Sequence, residues 1–203
     1  MVNIHYSEEQ ANTRISRDIA RFGVAIKSPW DFIHLENDPA WNLEIARALV
    51  NHLSEPYPDK VLEGLIYACA RPQAANIVLP MLTQLLAKRG DDFVGQACAD
   101  ALVRKLEIKD IKILSDLLLD AQNGTSRALI IDRFAKLAKA SSIPILKELT
   151  QDPNIGIVAL QALAKIGDQS IRTDLQLLAA GNDSTKSILA QQALKRLNKK
   201  LKT

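Results

Sequence analysis

Three histidines (His5, His34, His52) and two cysteines (Cys69, Cys98) are the residues best suited to bind a metal or move a proton. The histidines stand 29 and 18 residues apart, so none forms the i, i+3 or i, i+4 pair that puts two imidazoles on one helical face. His34 and His52 could meet across a helix pair, with Glu36 or Glu55 nearby, but solvent-facing or capping roles fit them better. Cys69 and Cys98 each lie between alanines, the setting of small thiols buried between helices. Neither has ligand spacing, so no metal and no cofactor is expected. Asp91 and Asp92 follow Gly90, where carboxylates favour a helix start. The sequence holds no phosphate-binding glycine loop, no H-E-x-x-H and no G-x-S-x-G elbow. No catalytic residue is therefore assigned.

Cations form the more informative pattern. Arg133, Lys136 and Lys139 are spaced i, i+3, i+6 and share roughly one side of a helix. The net charge of +3 divides unevenly, from −4 over residues 1–100 to +7 over residues 101–203. Lys195, Arg196, Lys199, Lys200 and Lys202 close the chain without an acidic neighbour. Such a distribution suits an acidic protein surface or a phosphate backbone, and equally a solvated helix face or a helix end whose cations complement the dipole.

The elements that must position these residues are helical. Aromatics are only 4% of the 203 residues, and no segment alternates apolar and polar residues like a half-buried strand. Apolar positions instead recur with the helical period, as in Leu62, Leu65, Ile66 and Cys69, or Ile130, Phe134, Leu137 and Ala138. Pro56 with Pro58, Pro72, Gly90 with Asp91, Asn123 with Gly124, and Gly167 with Asp168 break the stripes. About twelve helices of ten to seventeen residues are expected. Ile111, Leu114 and Leu117 recur 32 residues later as Ile143, Leu146 and Leu149. Ile143 and Leu149 recur 28 later as Ile171 and Leu177. Repeated helix pairs of this length bury their apolar faces by stacking, which predicts an all-α, right-handed α-solenoid. Five pairs fit: 40–71, 73–106, 108–139, 141–166 and 168–200. Residues 1–36 read as an N-terminal helical cap, with a helix from Ser7 to Gly23 bearing Ile15, Ile19 and Phe22. Residues 37–203 form one continuous repeat domain, and Trp30 and Trp41 close its first end.

The most specific local pattern is Asp152-Pro153, Ile155, Ala159, Ala162, Leu163, Ile166, then Gly167-Asp168. It resembles the HEAT repeat in its short bacterial, phycobilisome-lyase-type form. The resemblance is strongest over 141–197 and extends back to about 58. It departs at Gly156, where the family commonly carries arginine, so the Asp–Arg brace is expected to be missing from this repeat.

The resemblance implies that the second helix of each pair lines a concave face. That face would carry Lys60, Glu63, Tyr67, Arg104, Lys105, Arg133, Lys136, Lys139 and Lys165. A non-catalytic module follows, binding another protein, with an acidic surface suited to the basic residues, as a small bacterial accessory or immunity-type protein would. Two alternatives stand beside it. One is a chromophore-lyase-like subunit, for which Tyr57, Tyr67, Trp30 and Trp41 are the available aromatic lining. The other is a nucleic-acid-binding HEAT-like protein, poorly served by the single aromatic, Phe134, in residues 101–203. No apolar run approaches the ~18–20 residues of a membrane span. The polar residues 1–10 show no secretory signal, so a cytoplasmic protein without a membrane partner is expected.

Overall fold

A computed structural model describes residues 5–35, 41–104 and 111–200. The described residues are all-α: helices joined by short turns and 3-10 segments, with no strand among them. Contacts divide the chain into two compact units, Met1–Ile108 and Lys109–Thr203.

In the first unit, α1 (Glu8–Ala20) starts at Ser7, whose hydroxyl accepts from the Gln10 N–H while the Gln10 side chain accepts from the Ser7 N–H. Its residues Ala11, Ile15 and Ile19, four apart, are fully buried against α2 (Leu43–His52) and α3 (Asp59–Cys69). Phe22, expected on the same face, lies beyond the helix end and is exposed. A 3-10 segment, Pro29–Leu35, packs on α3 through the buried Phe32. Next come α4 (Ala75–Arg89) and α5 (Phe93–Arg104). Small residues on α3 (Ala68, Cys69) and α5 (Ala97, Cys98, Ala101) are buried where these two second helices pack side by side. Both cysteines are free and buried. Burial pushes the Cys69 thiol up to about 12, so both stay protonated packing groups. Asp92 accepts from the N–H groups of Val94 and Gly95, which is the cap expected there.

The second unit contains α6 (Ile111–Leu119), α7 (Arg127–Ala138), α8 (Ile143–Leu149), α9 (Gly156–Ile166), α10 (Arg172–Ala180) and α11 (Ser184–Lys200). α8 and α10, at 7 and 9 residues, are shorter than expected. One reason is that 3-10 turns lead into α8 and α10, taking residues that the apolar spacing does not separate from α-helix. Ile111 and Leu137, placed on apolar stripes by their spacing, lie exposed at the margins. α7 packs against α9 and α9 against α11, while α6 packs against α8. Gly167 ends α9 in the left-handed conformation, and Asp168 accepts from the Ser170 N–H, as the sequence suggests.

The expected loss of the Asp–Arg brace is corrected. Asp152 pairs at 2.7 Å with Arg127, the first residue of α7 in the preceding pair. The Arg127 side chain is 2% exposed and also donates to the carbonyls of Leu118 and Gly124. Gly156 starts α9 directly against the preceding turn. A Cβ there would stand 2.6 Å from the Thr150 carbonyl oxygen, so no arginine fits at that place.

Candidate functional site

Two of the sequence-selected residues, Tyr67 and Arg104, come together in the first unit. Tyr67 on α3 donates to Asp100 on α5 at 3.0 Å, and Arg104, one turn further along α5, pairs with the same carboxylate at 2.5 Å. The three border an open cavity of about 570 Å³, whose apolar wall includes Trp30, Phe32, Ile33 and Pro72. Trp30 is fixed by its indole N–H, which donates to the Lys60 carbonyl at 3.2 Å, and its ring lies over Gly64. A Cβ at residue 64 would fall 2.8 Å from the indole nitrogen, so the missing side chain is what seats the ring. Trp30 and Tyr67 are tilted neighbours, with ring centroids 6.3 Å apart. At the inner end Arg71, buried, donates to the Phe32 carbonyl and lies 5.0 Å from the Trp41 ring centroid. Burial, reinforced by the Asp100 charge, pushes the Tyr67 hydroxyl up to about 12. It therefore serves as a hydrogen-bond donor near neutrality. Arg104, with a 73% exposed side chain, is the charge this groove offers to solvent. Burial also raises the Glu63 carboxyl. Lys105 lies outside the described residues.

Sequence reasoning missed a second cluster in this unit. His52, expected at the surface or in a cap, is buried, with Nε2 3.1 Å from Asp18 of α1 and Nδ1 2.9 Å from the Tyr57 hydroxyl. Arg14 joins α1 to the end of the α2–α3 connection through Glu55 at 2.8 Å. Burial lowers the His52 pKa against the opposing pull of Asp18, and burial pushes Tyr57 up to about 12. The arrangement ties α1 to the helix pair. The contacts from α1 to the pair span 34 to 41 residues, and no local motif signals them. Glu36 lies outside the described residues, and the His34 side chain with it.

In the second unit the basic residues are distributed differently from the expected ridge. Lys136 is exposed on α7, and Arg133 is half-buried beside it. Lys139 lies just past the helix, at φ 49° and ψ −125°, so the i, i+3, i+6 alignment stops at Lys136. Lys165 reaches from α9 to Asp132 on α7 at 2.8 Å. That hydrogen bond, with the Lys136 charge also contributing, holds the Asp132 carboxyl below its usual range. Lys165 and Lys136 therefore flank one carboxylate across two packed helices.

Comparison with family models, with characterised proteins and with solved structures gave no match. Among the described residues, no group of three or more His, Cys, Asp and Glu is placed to hold a metal ion. No described helix is long and apolar enough to cross a membrane.

Proposed function

We propose that the chain is a non-catalytic, cytoplasmic protein-binding module of HEAT-type helix pairs, holding its partner on the face of the second helices. The observation that carries this reading is the open groove of about 570 Å³ where α3 and α5 meet Trp30. It combines an aromatic wall with an exposed guanidinium, the residue types that anchor protein interfaces. Its ionisable groups already bond to one another, since Tyr67 and Arg104 share Asp100, and this favours recognition over proton transfer. The pairing of helices and the side-by-side packing of second helices within each unit support the HEAT-type reading. A bacterial accessory or immunity-type role is the functional class that reading favours.

The test is capture from native lysate at low and high salt, with wild type beside Gln73→Trp, which fills the groove from its exposed rim, and Arg104→Glu. One stoichiometric protein, lost with either variant, supports the reading. Recovery of nucleic acid alone, released by salt, replaces it with the nucleic-acid alternative. A new visible absorbance on mixing with a linear tetrapyrrole would instead support the lyase-like one.

A further inference from the structure

We propose that the second-helix face of the Lys109–Thr203 unit binds an extended acidic segment of a partner protein, one carboxylate per helix. This rests on the protein-binding reading above and names the chemistry of the partner.

The first observation is where the unit's acids go. Asp120, Asp152, Asp168 and Asp183 each accept backbone N–H bonds at helix starts, and Asp174 pairs with Lys147. Along α7, α9 and α11 the only carboxylate is Asp132, itself paired with Lys165. The same three helices carry Lys136, Lys165, Lys195, Arg196 and Lys199 against that one carboxylate, which Lys165 and Lys136 flank, so positive charge is in excess on them.

The second observation is register. Lys136, Lys165 and Lys195 each stand two residues past a buried side chain, namely Phe134, Leu163 and Ala193. α7 packs on α9 and α9 on α11, and Lys165 and Lys136 both flank Asp132, so the shared register extends to Lys195 as a proposed row across the helices. Neighbouring helix axes are about 8–10 Å apart, which sets the step of the row. A polyproline-II segment turns once in three residues and rises ~3.1 Å per residue, so every third side chain returns to one side after about 9 Å. A segment with Glu or Asp at every third position therefore matches the row.

Two further features favour peptide over nucleic acid. The only aromatic on these helices, Phe134, is 1% exposed, so no base can stack there. Duplex phosphates also recur more densely than one charge per helix step. Lys139, beside the row, holds a positive φ that glycine would adopt more cheaply, a form of strain that accumulates at binding sites.

The probe is a fluorescein-labelled (Glu-Pro-Pro) repeat peptide, titrated by anisotropy beside a thymidine oligonucleotide of equal charge. The expected result is tighter binding of the peptide, weakening at least tenfold between roughly 50 and 300 mM salt. Lys136→Glu with Lys165→Glu should weaken it by a further tenfold or more, as should the gentler Lys136→Gln with Lys195→Gln. Thermal melts confirm that each variant folds, and Lys88→Glu, an exposed cation on α4 of the other unit, should leave peptide binding unchanged. Equal or tighter oligonucleotide binding overturns the proposal, as does no peptide binding or indifference to both double variants. If the peptide fails while a protein still cross-links to second-helix positions, the acidic-segment inference falls and the binding reading survives. If neither occurs, both fall.

Discussion

Replacing Arg127 by methionine removes one member of a buried ion pair without opening a large void. The guanidinium, 2% exposed, reaches the Asp152 carboxylate at 2.7 Å and the carbonyls of Leu118 and Gly124 at 3.1 and 2.9 Å. Methionine fills much of the stem volume but leaves two carbonyls and one oxygen of a largely buried carboxylate without the guanidinium donor. Breaking one side of such a pair costs about 3–5 kcal/mol, against about 0–1 kcal/mol for an exposed pair. Asp152→Asn keeps an oxygen for the Asn154 and Ile155 N–H groups, and should cost less, about 1–2 kcal/mol. In the double variant no charge is stranded, so the two costs should not add: a coupling of about 1–3 kcal/mol is expected. The pH profile supplies a separate check. Burial pushes the Asp152 carboxyl up, but bonds from the Asn154 N–H, Arg127 and the Ile155 N–H outweigh it and hold the group below the usual carboxylate range. The folded state thus releases this proton more readily than the unfolded chain. Its contribution to stability is complete above the ordinary carboxylate pKa and fades as pH falls toward the folded value. Equilibrium guanidinium unfolding of the four proteins between pH 3 and 7 measures both effects. A cost below about 1 kcal/mol for Arg127→Met, or strict additivity, would refute the reasoning.

Other consequences follow from single contacts. Gly64→Ala places a methyl group 2.8 Å from the Trp30 indole nitrogen, so stability should drop by about 1–3 kcal/mol and tryptophan emission should shift; an unchanged spectrum and midpoint would contradict the packing. Lys139→Gly relieves a positive φ and should raise stability by about 1 kcal/mol, measured by thermal melting. His52, its pKa lowered by burial despite the carboxylate of Asp18, resists protonation in the folded state. Stability should therefore fall as pH drops below the ordinary histidine value, and His52→Gln should flatten that part of the profile.

The helix pairs are legible in the sequence because their signals are local. Gly167 and Asp168 each act where they stand, and the apolar spacing around Phe134 or Leu163 needs only its own helix. What escaped reading is made by long-range pairing or backbone detail. Arg127 lies 25 residues before Asp152, so the missing arginine at 156 looked like a missing brace. His52 meets Asp18 only because α1 packs on α2, and nothing near either residue announces it. Tyr67 and Arg104 were identifiable as outward residues on second helices, but the groove also needs Trp30 and Pro72, brought in by the fold. Lys139 kept its helical spacing in sequence while its backbone left the helix.

The central claim, that partners dock on the second helices, is tested most directly by placing a photo-cross-linking residue at single positions and irradiating in native lysate. Lys136 on α7 and Gln161 on α9 report the proposed face, and Glu148 on α8 and Gln176 on α10 report the first helices; all four are exposed. The account predicts one protein joined at Lys136 and Gln161, sensitive to salt, and none at Glu148 or Gln176. Cross-links confined to Glu148 and Gln176, or no protein at any of the four, would contradict it.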